Sequence, residues 1–324
     1  MLDRKDREIL NLVQIDFPLE VRPYEIIGRR LGISEDDVIY RLKRLKEMGL
    51  IRQISAVFDS RALGYQSSLV AFKTEPARVH EIGKRVSEHS GVTHSYRRNH
   101  EFNLWFTITL PSGTDLQREV DKLADQEGVL AVRLFPTIRT FKIGVAFDML
   151  SEKSMAPGSN VTADDGEPRV SREDIPIIRQ LQRDLPLECR PFEPLANRVG
   201  ISDEALLQKA KEFLQRGLMR RYAAVLRHRE AGFAANAMGA WSVPEDRIEE
   251  FGRKAAAFAA VTHCYQRTTY PDWPYAVFTM IHGRTKEECE SIARRIAEDT
   301  GIKDYVLLYS VEEFKKTRML YFEE

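Results

Sequence analysis

An α+β chain built from two copies of one unit, each a winged helix-turn-helix followed by a ferredoxin-like βαββαβ domain, is predicted by three observations. The first is self-similarity. FPLEVRPYE at 17–25 returns as LPLECRPFE at 185–193, and nineteen of the fifty positions in 16–65 are identical to those in 184–233 without a gap. The second is a change of hydrophobic period within each copy, from helical spacing to strand alternation. The third is the stretch between the copies, SEKSMAPGSNVTADDGEPRVS at 151–171, rich in Gly, Pro, Ser and Asp and without a hydrophobic period. It reads as a flexible linker. A tether between duplicated halves predicts that they pack on each other as an intramolecular pseudo-dimer.

In the first copy, residues 3–14 place Ile9, Leu10 and Val13 at helical spacing, and a second short helix near 23–31 stops at Gly32. Ser34 caps a third helix running to Met48, with Val38, Leu42 and Leu45 as its stripe and Gly49 as its stop. LIRQISAVFD then reads as two short strands forming a wing. The second copy repeats the cap at Ser202, the stripe at Leu206, Ala210 and Phe213, and the stop at Gly217. The winged units are thus expected at 1–60 and 172–228.

Residues 61–150 and 229–324 read strand, helix, strand, strand, helix, strand. In the first copy these are SSLVAFKT, PARVHEIGKRVSEHS, VTHSYRR, FNLWFTIT, a helix from Thr114 to Gln126, and VLAVRLFPTI. That order is the ferredoxin-like one. One sheet face packs on the helices and the other is open to a second sheet or a ligand. VTHSYRR (92–98) matches VTHCYQR (261–267), and a further small insertion precedes the FT pairs at 106–107 and 278–279. The halves diverge in the loop between these strands.

Composition limits the function classes. Of 324 residues, 43% are hydrophobic and 30% charged, with Lys+Arg and Asp+Glu equal at 49 each, an ordinary globular balance. A dedicated DNA binder usually carries a basic excess; its absence makes DNA binding a poor expectation. No apolar run is long enough to span a bilayer, and MLDRKDREIL is a charged amphipathic start rather than a signal peptide. Cys189, Cys264 and Cys289 form no CxxC pair, so structural zinc and disulfides are not expected, and the compartment reads as a reducing cytoplasm. GxGxxG, GxxxxGK, HExxH and GxSxG motifs are all missing from the sequence.

A winged helix followed by βαββαβ, with the run SEDDVIYRLKRLKEMGLIR, resembles the Lrp/AsnC family over the whole chain apart from the linker. Within it, HSYRRNHEFNLWFT at 94–107 and HCYQRTTYPDWPYAVFTMIHG at 263–283 resemble the siroheme decarboxylases of heme d1 and alternative heme biosynthesis. The two halves look like that enzyme's two subunit types joined in one polypeptide. The resemblance implies removal of the C12 and C18 acetate carboxyls of siroheme, giving 12,18-didecarboxysiroheme. It implies no separate cofactor, since the iron enters with the substrate.

Strand alternation puts His94, Tyr96 and Arg98 on one face of their strand and Thr93, Ser95 and Arg97 on the other, and His263, Tyr265 and Arg267 repeat the first set. Imidazole, phenol and guanidinium suit an open face that receives an anionic ligand, or else a polar network between two sheets. Arg98 and Arg267 are expected to take carboxylates that are kept. Loss of carbon dioxide leaves carbanion character at the methylene, and a histidine is the natural proton donor near neutral pH. His100, in the divergent loop and followed by Phe102 and Trp105, is the leading acid candidate; Thr269 aligns with it. The second half offers Tyr270, Trp273 and Tyr275 in YPDWPY to cover a flat ring, or to form a surface aromatic cluster. His282 is an iron ligand, a second acid or a strand-end residue, three readings the sequence does not rank. Lys142 and Lys315 are placed at the rim, facing propionates. The repeated Arg22-Pro23 and Arg190-Pro191 read as a helix start with an arginine salt bridge.

The rival functions are an Lrp/AsnC-type transcription regulator and a tetrapyrrole carrier. Arg41, Lys43, Arg44 and Lys46 can touch phosphate, but Glu35, Asp36 and Asp37 sit where a recognition helix approaches bases. Whether the fused chain forms a further homo-oligomer stays open.

Overall fold

A computed structural model describes residues 2–144, 146–148, 153–155, 170–226 and 235–323. The first winged unit contains α1 (Arg4–Ile15), α2 (Pro23–Leu31), α3 (Glu35–Glu47) and β1 (Ile51–Phe58). The Asp3 carboxylate accepts from the Asp6 N–H and closes a capping box on α1, and the Ser34 hydroxyl accepts from the Asp37 N–H on α3. Gly32 and Gly49 take left-handed backbone, φ 67° and 76°, where the helices stop. β2 (Tyr65–Thr74), α4 (Val79–Glu88), β3 (Val92–Arg98), β4 (Phe102–Pro111), α5 (Leu116–Ala124) and β5 (Val129–Ile143) follow. Asp115 caps α5, so that helix starts two residues later and ends two earlier than its sequence suggests.

A short pair, β6 (Ala146–Asp148) with β7 (Lys153–Met155), precedes the second copy. Three residues of the expected linker at 151–171 are therefore paired; most of the rest, and the 228/229 domain boundary, lie outside the described residues. α6 (Asp174–Leu181), α7 (Glu193–Asn197), α8 (Asp203–Gln215) and β8 (Met219–Leu226) form the second winged unit. β9 (Ala235–Trp241), α9 (Ile248–Ala257), β10 (Val261–Arg267), β11 (Val277–Gly283), α10 (Lys286–Thr300) and β12 (Tyr305–Lys316) complete the chain. Among the described residues, no helix is long and apolar enough to cross a membrane.

The wing differs from its expectation. LIRQISAVFD is a single strand, β1, and its partner is β8 of the other copy, antiparallel from Ile51 opposite Leu226 to Phe58 opposite Met219. Each wing satisfies its backbone groups on its duplicate, and one hydrophobic core then runs through both winged units, with Ile9, Tyr24 and Leu42 from one and Phe192, Phe213 and Tyr222 from the other.

The sheets are joined in the same reciprocal way. β5 pairs with β2 over its first half and with β10 over its second, while β12 pairs with β9 and then with β3. Exchanging the ends of these long strands closes all eight into one barrel, in the order β10-β11-β9-β12-β3-β4-β2-β5. Closure leaves none of these eight strands at a sheet edge. It also sends an aromatic ring across the junction in each direction: Phe141 of β5 lies over Gly252 of α9, and Phe314 of β12 over Gly83 of α4. A β-carbon at either glycine would come within 2.4 Å of the ring. Gly83→Ala or Gly252→Ala is therefore expected to cost about 1–3 kcal/mol through overpacking, read as a lower urea midpoint; an unchanged midpoint would mean that the rings are not held there.

Candidate active site

The barrel interior has two zones. Toward one end, Trp105, Phe135, Trp273 and Phe278 pack into an aromatic plug, with Trp105 stacked on Phe135 at 5.4 Å and against Trp273 at 5.1 Å. The YPDWPY loop supplies it: Trp273 is fully buried, and the Tyr270 hydroxyl donates to the Leu134 carbonyl at 2.6 Å. Asp272 pairs with Arg133 on the neighbouring strand. Trp273 and Tyr270 thus seal the barrel end and do not line the space above it. Beyond the plug a cavity of about 960 Å³ continues to the winged units, near the top of the range of roughly 300–1,000 Å³ that small-molecule sites span.

Eight of the thirteen residues singled out in the sequence line this cavity: His94, Tyr96, Arg98, Trp105, His263, Tyr265, Arg267 and His282. The other five are elsewhere. Lys142 donates to the Phe258 carbonyl and Lys315 to the His89 carbonyl, both away from the cavity. Lys316 lines it instead, because β12 shifts register between Glu313 and Lys315 and the alternation moves by one residue. His100 stands with Tyr270 and Trp273 outside the lining; its Nδ1 accepts from the Phe102 N–H, and its ring meets Trp273 edge-on at 5.2 Å.

Two further register changes alter the pattern expected from alternation. β3 is bulged between Val92 and His94, and β10 between Val261 and His263. Thr93 consequently lines the cavity on the same side as His94, and its hydroxyl lies 3.1 Å from His94 Nδ1. The FT pairs are not structural equivalents. Trp105 lies opposite Tyr96 and Phe278 opposite Tyr265, so Trp105 corresponds to Phe278, and Phe106 turns instead to the helix-side core. In this register His282, paired with Asn236, occupies the place of Thr109, paired with Ser67. The cavity is therefore chemically lopsided, with two histidines on the second half's side and one on the first.

Charge follows a second pattern. Arg98 donates from Nη1 to the Leu308 carbonyl at 2.8 Å, and Arg267 donates likewise to the Phe135 carbonyl, each arginine reaching the other half's long strand. The Nε of each is buried without a hydrogen-bond partner, and among the described residues neither guanidinium meets a carboxylate. Burial pushes both down to about 10, which still leaves them charged at neutral pH. Lys316, Arg220 and Arg318 add positive charge at the winged end, where Asp59 is the one acid of the lining and pairs with Arg220 at 2.7 Å. Burial likewise pushes His94 and His282 down to about 4, with Lys316 adding to it in both. His263 falls to about 3 through burial, with His282, His94, Arg220 and Arg267 contributing. All three histidines are therefore neutral near pH 7.

Sequence reasoning missed Thr93, Lys316, Arg220 and Arg318. For Arg220 a signal existed, since Arg52 and Arg220 are identical positions of the repeat. The others depend on bulges and on the path of the C-terminal tail, in which Arg318 bonds the Ser55 hydroxyl and the Ala56 carbonyl of β1.

The family model described as AsnC-like ligand binding domain matches residues 62–142 and 230–315. The one described as Siroheme decarboxylase NirDL-like HTH domain matches 6–52 and 174–220. A siroheme decarboxylase of Hydrogenobacter thermophilus is 40% identical over 320 residues, covering 98% of this chain and 95% of its own. The siroheme decarboxylase beta subunit of Methanosarcina barkeri is 45% identical over 148 residues, covering 46% of this chain and 97% of its own. The crystal structure of the siroheme decarboxylase NirDL in co-complex with an iron-uroporphyrin III analogue is similar with a TM-score of 0.76 and 35% identity, covering 99% of this chain and 95% of that one. The chain is a member of the siroheme decarboxylase family, with both halves of the duplication carrying its two domains.

Proposed function

We propose that this chain decarboxylates siroheme inside the barrel, removing the C12 and C18 acetate carboxyls to give 12,18-didecarboxysiroheme in a reducing cytoplasm. The observation that carries this reading is the cavity with two buried arginines that, among the described residues, meet no carboxylate, in a chain from this family. Siroheme brings eight carboxylates. Arg98 and Arg267 hold carboxylates that are retained, and Lys316, Arg220 and Arg318 receive others at the winged end. Trp105 and Phe278, at the boundary of the plug, form an apolar floor for the macrocycle, while Met238, Met280 and Leu69 line the cavity with apolar groups. An acetate held against these apolar groups loses hydration that its charged form needs.

Cleavage of the bond between methylene and carboxyl releases carbon dioxide and leaves its electron pair on the methylene, delocalised into the macrocycle. One proton then completes the methyl group, and the cavity histidines, rather than His100, are placed to give it. The iron belongs to the substrate, and the overall change needs no oxidant or reductant. This cavity takes residues from both halves, and both acetates are processed in it.

The depressed histidines predict the pH behaviour. A polyanion in the cavity favours their charged forms, so siroheme binding takes up protons and tightens as pH falls from about 8 to about 6. Titration calorimetry in buffers of different ionisation enthalpy measures that uptake; none at all would place the ligand away from these side chains. The empty protein has the opposite trend. Its histidines charge near ~6.5 when unfolded and only near 3 to 4 when folded. Stability is therefore lost as pH falls between those values.

The regulator reading has less support. In α3, Arg41 is held by Asp3, Asp6 and Asp37, and Arg44 by Asp6. Arg22 pairs with Glu35 and Arg190 with Asp203, so acids at the head of each third helix serve the repeated arginines. Anaerobic incubation with siroheme and mass analysis of the tetrapyrrole tests the enzyme directly. Loss of two carbon dioxide units is expected; bound but unchanged siroheme would make the protein a carrier or sensor.

A further inference from the structure

The bulge in β10 turns a buried hydroxyl toward two imidazoles at once. Thr262, fully buried, has its Oγ1 2.9 Å from His263 Nδ1 and 3.0 Å from His282 Nε2. A third contact, to the Met280 carbonyl, is at 3.5 Å, the limit of a hydrogen bond. The first half has no counterpart: Thr93 approaches His94 in the same way, but Thr109 stands where the second imidazole would be.

We propose that Thr262 is a positioning residue that joins His263 and His282 into one proton-donating unit. This deepens the decarboxylase reading and rests on it. A hydroxyl has one hydrogen to give and accepts on its lone pairs. With both short contacts made to ring nitrogens, it donates to one imidazole and accepts from the other. The two rings are thereby held in complementary tautomers, one protonated on the nitrogen away from Thr262 and the other bare there.

A proton added at the bare outer nitrogen passes through the unit by a concerted shift. The charged ring gives its inner N–H hydrogen to Oγ1, and Oγ1 gives its own hydrogen to the second ring. The second ring is His263, which lines the cavity while His282 Nδ1 is buried; it delivers its outer hydrogen to the substrate methylene as carbon dioxide leaves, so one proton enters and one leaves for each carboxyl lost. Lys316 faces this pair from β12, Arg220 from β8, His94 from β3 and Arg267 from β10 itself. The charges of Lys316, Arg220 and Arg267 disfavour a second proton, so the pair carries one at a time.

The test uses the full chain with siroheme under anaerobic conditions. Thr262→Val keeps the shape and removes the hydroxyl; its kcat is expected to fall about 100-fold, with KM and the spectroscopic siroheme affinity unchanged. Thr262→Ser restores the hydroxyl and is expected to return kcat to within about threefold of the native chain. A Thr262→Val kcat within that margin, or a Thr262→Ser variant as slow as Thr262→Val, overturns the proposal. If Thr262→Val does not fold, nitrogen-15 histidine spectra of the native chain decide. Complementary tautomers at His263 and His282 support the unit, and both rings protonated on the nitrogen facing Thr262 refute it. A native chain that leaves siroheme intact would sink the decarboxylase reading instead, and the tautomers would still be read separately.

Discussion

Arg98→Met and Arg267→Met are each expected to weaken siroheme binding by about 10- to 100-fold, the weight of a hydrogen bond to a charged group, while raising the thermal midpoint of the empty protein. The two effects have one cause. Each guanidinium is buried and, among the described residues, donates to a single backbone carbonyl and leaves its Nε without a hydrogen-bond partner. A buried charge in that state opposes folding, and an apolar side chain of similar volume relieves the cost. A group that lowers stability and is found in both halves is best explained by an anionic ligand that completes its bonding. Calorimetry of the empty variants together with absorbance titration of siroheme reads both signs. A variant that loses stability and keeps its affinity would make the arginines structural braces between the halves.

Replacing His282 or His263 by Ala is expected to lower kcat by about 100- to 10,000-fold, the range for a missing general acid, with siroheme still bound through the arginines. His100→Ala separates the cavity from the loop as the source of the proton. With its ring edge-on to Trp273 beyond the plug, its loss is expected to leave turnover within about threefold. A kinetic collapse in His100→Ala with full activity in His282→Ala would return the chemistry to the loop. Single-turnover rates at saturating siroheme make the comparison independent of affinity.

Much of this arrangement was legible in the residues. The repeat, the capped third helices and the strand-helix order come from local spacing, and local spacing survives folding. The triads His94-Tyr96-Arg98 and His263-Tyr265-Arg267 were placed on one face by alternation, and all six do line one cavity. Where a single extra residue intervened, the reading moved to the wrong neighbour. The bulge at Thr93 brings a hydroxyl into the cavity from what alternation calls the opposite face. The register shift in β12 exchanges Lys315 for Lys316, and the matching FT pairs conceal that Trp105 corresponds to Phe278. A strand's side-chain period is two, so one inserted residue inverts every assignment beyond it.

Long-range pairing was beyond the sequence for a different reason. Nothing local to LIRQISAVFD distinguishes a hairpin wing from a strand that pairs with its own duplicate, and the exchanged ends of β5 and β12 leave no mark in hydrophobic period. YPDWPY had the composition of a ring-covering loop. Its position in the barrel end depends on Trp273 finding Trp105 and Phe135 from the other half. The arginine salt bridges were read correctly in both copies, but the helix start only in the first: Pro23 opens α2, whereas Pro191 lies in a turn before α7.

Siroheme decarboxylation by cavity histidines is tested most directly by anaerobic incubation of the purified chain with siroheme in deuterium oxide, followed by mass spectrometry of the tetrapyrrole. The expected product has lost two carboxyl groups and gained two solvent deuterons, one at each new methyl group, and His282→Ala makes it slowly. Intact siroheme, or a decarboxylated product without solvent deuterium, would contradict a proton delivered from exchangeable imidazole groups in this barrel.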